Sequence, residues 1–236
     1  MRYPVKKAEE MTALELAAYI DQSVLKPEFT EKEIEKYIRE GVVYGCATVC
    51  VNPSSLDLAQ VLTKNSRTKI CVVCDFPFGM SPTEVKGWQA QYYCQNWDIA
   101  ELDLVLNYGW IRSGKWDLVK DEIEKVTRIC HAHEVAIKVI LETDALTEEE
   151  IKETCVCAVA ARADFVKTST GFFTGERNVG ADPQLIRMML EYCGDRIQVK
   201  GSGGIRSREH FLQLIDMGID RMGIGYKSTP KVLGIV

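Results

Sequence analysis

Along this chain, short apolar runs alternate with longer stretches in which apolar positions recur every three or four residues. The short runs lie at 20–25, 47–52, 70–75, 101–107, 136–142, 163–168, 197–201 and 220–224. Their length and their Val, Ile and Phe content predict buried strands. The longer stretches predict helices at 30–43, 54–62, 81–94, 115–132, 147–161, 182–192 and 207–217, after an amphipathic opening helix at 12–19. Two helices begin with the spacing of a capping box, in which a hydroxyl and a carboxylate three residues apart satisfy each other's backbone N–H: Thr30 with Glu33, and Thr147 with Glu150.

Strands separated by helices pair in parallel, because a right-handed helical crossover returns each strand to the same direction. Eight such units in 236 residues predict an α/β fold, a closed (β/α)8 TIM barrel. One domain, 1–236, is expected, with residues 1–19 forming an N-terminal extension and helix. The alternative is an open doubly wound sheet. It lacks sequence support, since no predicted strand leads into GxGxxG or GxxxxGK[ST], and Gly201-Ser-Gly-Gly continues as Ile-Arg.

The two faces of a barrel strand meet different surroundings, so parity along each strand is informative. In 101–107, Leu102, Leu104 and Leu106 make an apolar face suited to helices, which turns Asp103, Val105 and Asn107 toward the barrel axis. By the same parity Lys138, Ile140 and Glu142 share a face, as do Gln198, Lys200 and Ser202, and Lys167 closes the sixth strand. Three lysines and an aspartate are thereby expected to converge inside the barrel or at its upper rim. A buried unpaired ammonium is costly, so the plain structural reading is a set of internal ion pairs, Lys138 with Glu142 or Asp103. For Lys167 with Lys200 the chemical reading is the stronger one. A lysine that is partly desolvated beside other cations has a depressed pKa, and the neutral amine attacks carbonyls to form a Schiff base.

Gly201-Ser-Gly-Gly-Ile-Arg206 follows the seventh predicted strand and Gly223-Ile-Gly-Tyr226 ends the eighth, the usual phosphate-binding corner of this barrel. Other chemistry has less support. Nine cysteines are scattered through apolar segments and read as reduced core thiols; Cys71 and Cys74, three apart on a strand, face opposite ways. His131, His133 and His210 fall in helical stretches or at their ends, which argues against a histidine triad or a metal site. With 29 Lys and Arg against 34 Asp and Glu, net charge -5, nothing draws the chain to nucleic acid or an anionic membrane. No window approaches the roughly 18 apolar residues of a spanning helix, and the start lacks a signal-peptide core, so a cytoplasmic location is expected.

The motifs FVKTSTGF at 165–172, KVILET at 138–143, KGSGGIR at 200–206, CVNPS at 50–54, FPFG at 76–79 with TEVK at 83–86, and LKPE at 25–28 together resemble the deoxyribose-phosphate aldolases, in the same order through almost the whole chain. The resemblance implies a class I aldolase that needs no metal or other cofactor and cleaves 2-deoxyribose 5-phosphate reversibly to acetaldehyde and glyceraldehyde 3-phosphate. It implies that Lys167 forms the Schiff base, that Lys200 depresses its pKa, that Asp103 takes part in proton transfer, and that Gly171, Gly203, Gly204, Gly223 and Gly225 contact phosphate. The implied partner is a small sugar phosphate or aldehyde, and a homodimer or higher homo-oligomer is compatible with the family. The chain departs from the family's pattern in Asp21-Gln22-Ser23, in Asp75 and Ala100, and in Gly225-Tyr226 where a Ser-Ser pair is usual. A Schiff-base aldolase with an unphosphorylated or different acceptor is therefore a second expectation, and an idle sugar-phosphate-binding barrel a third.

Overall fold

The computed structural model describes residues 3–236. Eight parallel strands close on themselves in sequence order: β1 (Ile20–Val24), β2 (Thr48–Val51), β3 (Lys69–Cys74), β4 (Glu101–Val105), β5 (Ala136–Ile140), β6 (Phe165–Lys167), β7 (Gln198–Ser202) and β8 (Arg221–Gly225), with β8 pairing back to β1. Around them run α1 (Ala13–Ala17), α2 (Glu31–Tyr44), α3 (Leu56–Thr63), α4 (Thr83–Asn96), α5 (Tyr108–Arg112), α6 (Trp116–His131), α7 (Glu148–Ala160), α8 (Pro183–Cys193), α9 (Arg208–Asp216) and α10 (Thr229–Leu233). The expected barrel is the observed one, and every predicted strand and helix has its counterpart. Two short helices, α5 and α10, carry too few turns to show a period.

Both expected capping boxes form, at Thr30/Glu33 and Thr147/Glu150, and a third forms at Thr12/Glu15. The main apolar core is the layer between strands and helices. Leu102, Leu104 and Leu106 lie in it, as do Val49, Val51, Val72, Val139 and Val166. Alternation therefore sends the intervening residues inward, where Leu25, Cys50, Cys71 and Val73 form a smaller apolar cluster beneath Phe76 and Phe172.

Asn107 departs from its parity. It lies beyond β4, where its side chain accepts the Trp110 N–H at 3.1 Å and caps α5, so the helix start claims the polar group that strand alternation had aimed at the axis. Glu142 likewise has left the strand, in a left-handed conformation with φ 61°. Its carboxylate takes the Thr170 hydroxyl and backbone N–H rather than Lys138.

Candidate active site

The inward residues of β4, β5, β6 and β7 meet at one carboxylate. Asp103 is fully buried; its Oδ2 accepts from Lys167 Nζ at 2.7 Å and from Lys200 Nζ at 2.8 Å, while Oδ1 accepts from Lys138 Nζ at 2.9 Å. Strand register makes this possible, since Asp103 is opposite Lys138, and Lys167 is opposite Lys200. The expected convergence of three lysines on Asp103 is present, and of the two partners expected for Lys138, Asp103 is the one it meets.

Beneath this cluster lies a second set of charges that sequence parity had not been used to find. Asp21 Oδ2 is 2.5 Å from Lys200 Nζ and 3.5 Å from Lys138 Nζ, and its Oδ1 is 2.6 Å from Arg221. Glu101 pairs with both Lys138 and Arg221. The signal was available: Glu101 shares parity with Asp103, and Arg221 with Gly223. Together, four cations (Lys138, Lys167, Lys200, Arg221) face three carboxylates (Asp21, Glu101, Asp103).

The electrostatics follow from this geometry. Burial works against the charged form of Asp103, but the ammonium groups of Lys138, Lys167 and Lys200 outweigh it and hold the carboxyl well below its ordinary range. Burial likewise opposes the charge on Lys200, yet Asp103 and Asp21 raise its pKa above the ordinary value. Lys138 is raised in the same way, burial being outweighed by Asp103, Cys71, Glu101 and Asp21. Lys138 and Lys200 are thus fixed positive charges. Lys167 differs in having one carboxylate partner and in lying at the strand end, where it is 3% exposed.

Above the lysines, the strand exits are tied together. Thr168 Oγ1 donates to the Ser202 carbonyl and accepts the Ser202 N–H, both at 2.9 Å. Gly180 and Gly203, both with positive φ, lie backbone to backbone: a Cβ on Gly180 would stand 2.4 Å from the Gly203 carbonyl oxygen. The same oxygen accepts the Ala181 N–H at 2.9 Å. Gly203 (φ 86°) and Gly204 (φ 75°) present a turn that residues with side chains rarely adopt, and Gly171 (φ 80°) forms a similar turn after β6. Gly223 sits lower than a rim residue. A Cβ there would stand 3.0 Å from Ser202 Cβ, closer than ordinary packing allows, so its missing side chain makes room for Ser202. Gly225 ends β8 with open space around it.

The departures noted in the sequence now have positions. Gln22 turns outward, donating from Nε2 to the Tyr37 carbonyl at 2.5 Å, so it belongs to the packing of α2 against β1. Asp75 (φ 51°) accepts from the Ser81 N–H at 2.8 Å and the Ser81 hydroxyl at 2.6 Å, and lies 3.7 Å from buried Lys86. Tyr226 stacks on Tyr37 and Phe29.

Among the described residues, one group could offer three ligand atoms to a metal, Cys50, Cys71 and Asp103, whose donor atoms lie within 4.8 Å of one another. Both Asp103 oxygens are already committed to ammonium groups, which oppose a cation at that point. All nine cysteines are free thiols. The histidines stand away from the cluster, His131 on Asp164, His133 on Gln91 and His210 on the Ala181 carbonyl.

Fold and site define a (β/α)8 enzyme with a buried amine at the mouth of its barrel. The chain belongs to the DeoC/LacD family of aldolases, whose model matches residues 15–228. It is 41% identical to the deoxyribose-phosphate aldolase of Thermococcus kodakarensis over 225 residues, 94% of this chain and 97% of that one. It is 40% identical to the deoxyribose-phosphate aldolase of Desulfitobacterium hafniense over 213 residues, covering 90% and 95% of the two chains. Its structure is similar to that of the aldolase QR15 (TM-score 0.85, 36% identity, 94% of this chain and 95% of that one). A tetrameric deoxyribose phosphate aldolase from Aeropyrum pernix is similar with TM-score 0.84 and 29% identity, over 94% and 91% of the two chains. No helix among the described residues is long and apolar enough to cross a membrane.

Proposed function

We propose that this aldolase cleaves 2-deoxyribose 5-phosphate reversibly to acetaldehyde and glyceraldehyde 3-phosphate, with Lys167 as the Schiff-base amine. The observation that carries the reading is the shared Asp103 oxygen, 2.7 Å from Lys167 and 2.8 Å from Lys200. With all groups ionised, the interior has four cations against three carboxylates. Of these cations Lys167 has the fewest carboxylate partners, a single one, and it closes its strand. In the synthetic direction its neutral nitrogen adds to the carbonyl carbon of acetaldehyde, the oxygen takes up one proton from the nitrogen and one from the site's acid, and water leaves, giving an iminium. Loss of one proton from the adjacent carbon gives an enamine. That carbon bonds to the carbonyl carbon of the acceptor, whose oxygen takes up a proton, and water then releases the product and regenerates the amine.

In this reading Asp103 passes protons at Lys167, and Lys200 holds its positive charge on the same oxygen. The acceptor's phosphate is assigned to the turns at Gly171, Gly203 and Gly204 with the end of β8 at Gly225, where backbone N–H groups can approach an anion; Gly223 contributes by its lack of a side chain beneath them. The iminium serves as the electron sink, so the reading includes no metal and no cofactor, and activity is expected to survive exhaustive chelation. The subunits are expected to assemble as homo-oligomers, and a cytoplasmic location fits this substrate. Borohydride reduction with acetaldehyde tests the central assignment: an ethyl adduct on Lys167 is expected, and an adduct on Lys138 or Lys200 with Lys167 unmodified overturns it.

A further inference from the structure

The segment that leaves β5 carries two buried carboxylates, Glu142 and Asp144, 1% and 6% exposed. Among the described residues neither forms an ion pair; both commit their oxygens to the loop that follows Lys167. Glu142 Oε2 accepts the Thr170 hydroxyl at 2.5 Å, and its Oε1 accepts the Thr170 N–H at 3.2 Å. The Thr170 oxygen in turn accepts the Phe172 N–H at 3.0 Å, which closes the turn around Gly171. Asp144 Oδ1 accepts the Val179 N–H at 2.9 Å, and its Oδ2 accepts the Gly180 N–H at 3.2 Å. One short segment thus grips that loop near both of its ends.

Each grip governs one glycine turn. The first builds the turn at Gly171. The second fixes Gly180, and Gly180 fixes the turn after β7, since a Cβ on Gly203 would stand 3.1 Å from Gly180 Cα and 2.8 Å from Ser169 Oγ. Among the described residues the N–H groups of Gly171, Gly203 and Gly204 have no partner, whereas those of Thr170, Val179 and Gly180 are taken by the two carboxylates. The carboxylates therefore occupy the donors beside the turns and leave the turns' own donors to a ligand. Glu142 reaches Thr170 from a left-handed conformation, φ 61°, that residues with side chains seldom adopt, and such strain persists only where neighbours enforce it. They do so here: Leu141 N–H meets the Lys167 carbonyl at 3.0 Å and Thr143 N–H meets the Thr168 carbonyl at 2.9 Å.

We propose that Glu142 and Asp144 are positioning residues that set the enzyme's preference for a phosphorylated substrate, by holding the two glycine turns at the spacing an anion needs. The inference rests on the phosphate assignment made above. Neither carboxylate is assigned a contact with phosphate, which it would repel; each acts through the backbone it holds. Without the grips the loop after Lys167 samples arrangements in which the free N–H groups diverge, and apparent affinity for the anion falls by the fraction of chains still correctly arranged. A substrate lacking phosphate makes no use of the turns and is unaffected. A grip that served only to hold the loop down would instead alter both substrates alike.

The test is steady-state cleavage of deoxyribose 5-phosphate and of deoxyribose by the full chain and by Asp144→Ala, Asp144→Asn and Glu142→Gln. Borohydride trapping of acetaldehyde at Lys167 and trypsin cleavage after the exposed Arg177, which lies in the gripped loop, are run alongside. Asp144→Ala is expected to raise the KM for deoxyribose 5-phosphate by on the order of tenfold, the size of one lost hydrogen bond to a charged group. Its kcat, its kcat/KM for deoxyribose and its trapping should stay within about twofold of wild type, and cleavage after Arg177 should be faster. Asp144→Asn keeps one acceptor oxygen and should recover part of the lost KM; Glu142→Gln, of unchanged shape, should move the same split in the same direction. If Asp144→Ala does not fold, these two isosteric variants carry the comparison. An equal loss on both substrates, or faster cleavage after Arg177 with the KM unchanged, overturns the proposal while leaving the phosphate assignment in place. A wild type that handles the two substrates alike overturns both. Trapping absent from Lys167 in wild type, with the KM split still present in the variants, removes the Schiff-base assignment and leaves the positioning role supported.

Discussion

Tyr226 lies with its ring centroid 3.8 Å from that of Tyr37, tilted by 35°. Its ring is therefore spent on α2 and on Phe29, and the open position at the end of β8 is Gly225, around which a Cβ would meet nothing within 4 Å.

The two residues are expected to respond in opposite ways to serine. Gly225→Ser adds a hydroxyl without a steric cost, and charge-assisted hydrogen bonds are worth roughly 1.5–3 kcal/mol, so the KM for deoxyribose 5-phosphate should fall while that for deoxyribose stays nearly constant. Tyr226→Ser removes two aromatic contacts worth about 0.5–1.5 kcal/mol each and should lower thermal stability. Steady-state kinetics on both substrates and thermal unfolding of both variants check this pair. A rise in KM for the phosphorylated substrate in Gly225→Ser would show that phosphate is held elsewhere.

Lys200→Leu tests the electrostatic role of the second lysine. Because Asp103 and Asp21 raise the pKa of Lys200, it remains charged across the whole working range and is removed as a positive charge by the substitution. Asp103 Oδ2 then has Lys167 as its remaining close ammonium, and the neighbouring positive charge that opposes a second cation there is gone. The expected result is lower activity with the pH profile displaced to the alkaline side. A profile that falls in height without moving would assign Lys200 a purely structural part.

A third prediction concerns Lys86, the cation buried between α4, α6 and the end of β4. Its Nζ donates to the Val105 carbonyl at 2.9 Å and lies 2.8 Å from Glu122, whose other oxygen accepts the Asn107 N–H at 3.1 Å. Lys86→Met leaves Glu122 buried without its cation, a loss of about 3–5 kcal/mol at neutral pH. Burial, although opposed by Lys86, already pushes the Glu122 carboxyl above its ordinary value. A group with a raised folded-state pKa favours the fold below its unfolded value, near 4.3, and loses that contribution as pH rises through the folded value. The penalty of Lys86→Met should accordingly be small at about pH 4 and grow toward pH 7. Urea unfolding across that range measures it, and the double change Lys86→Met with Glu122→Met should recover much of the loss. A penalty independent of pH would rule out the ion-pair account.

The barrel itself was legible because alternation along a strand and periodicity along a helix are local properties of the chain. Parity placed Asp103, Lys138 and Lys200 on the axis because Leu102, Leu104 and Leu106 declare the opposite face. It failed at Asn107, where the strand had already ended and a helix cap took the side chain. Glu101 and Arg221 follow the same parity but look from sequence like ordinary strand-edge charges, and only closure of the barrel brings Arg221 to Asp21 and Glu101. Lys86 and Glu122 were less accessible still. Glu122 sits on a helix rich in charge and Lys86 on a polar helix with no clear apolar stripe, and which face of such a helix turns inward is decided by tertiary packing. The same applies to Asp75, whose charge turns to Lys86 and Ser81 rather than to the mouth.

The backbone-to-backbone joint between Gly180 and Gly203 bears on how this mouth can diverge over time. Neither residue has room for a side chain, and the Ala181 N–H is bonded across the seam, so the segment after Lys167 and the turn after β7 are copied as one piece of geometry. An insertion or deletion in one is tolerated only with a matching change in the other. At the β3 exit the tie to that segment is a side-chain contact, Phe76 edge-on to Phe172, rather than a backbone seam, so side chains there can change while the lysine chemistry stays fixed.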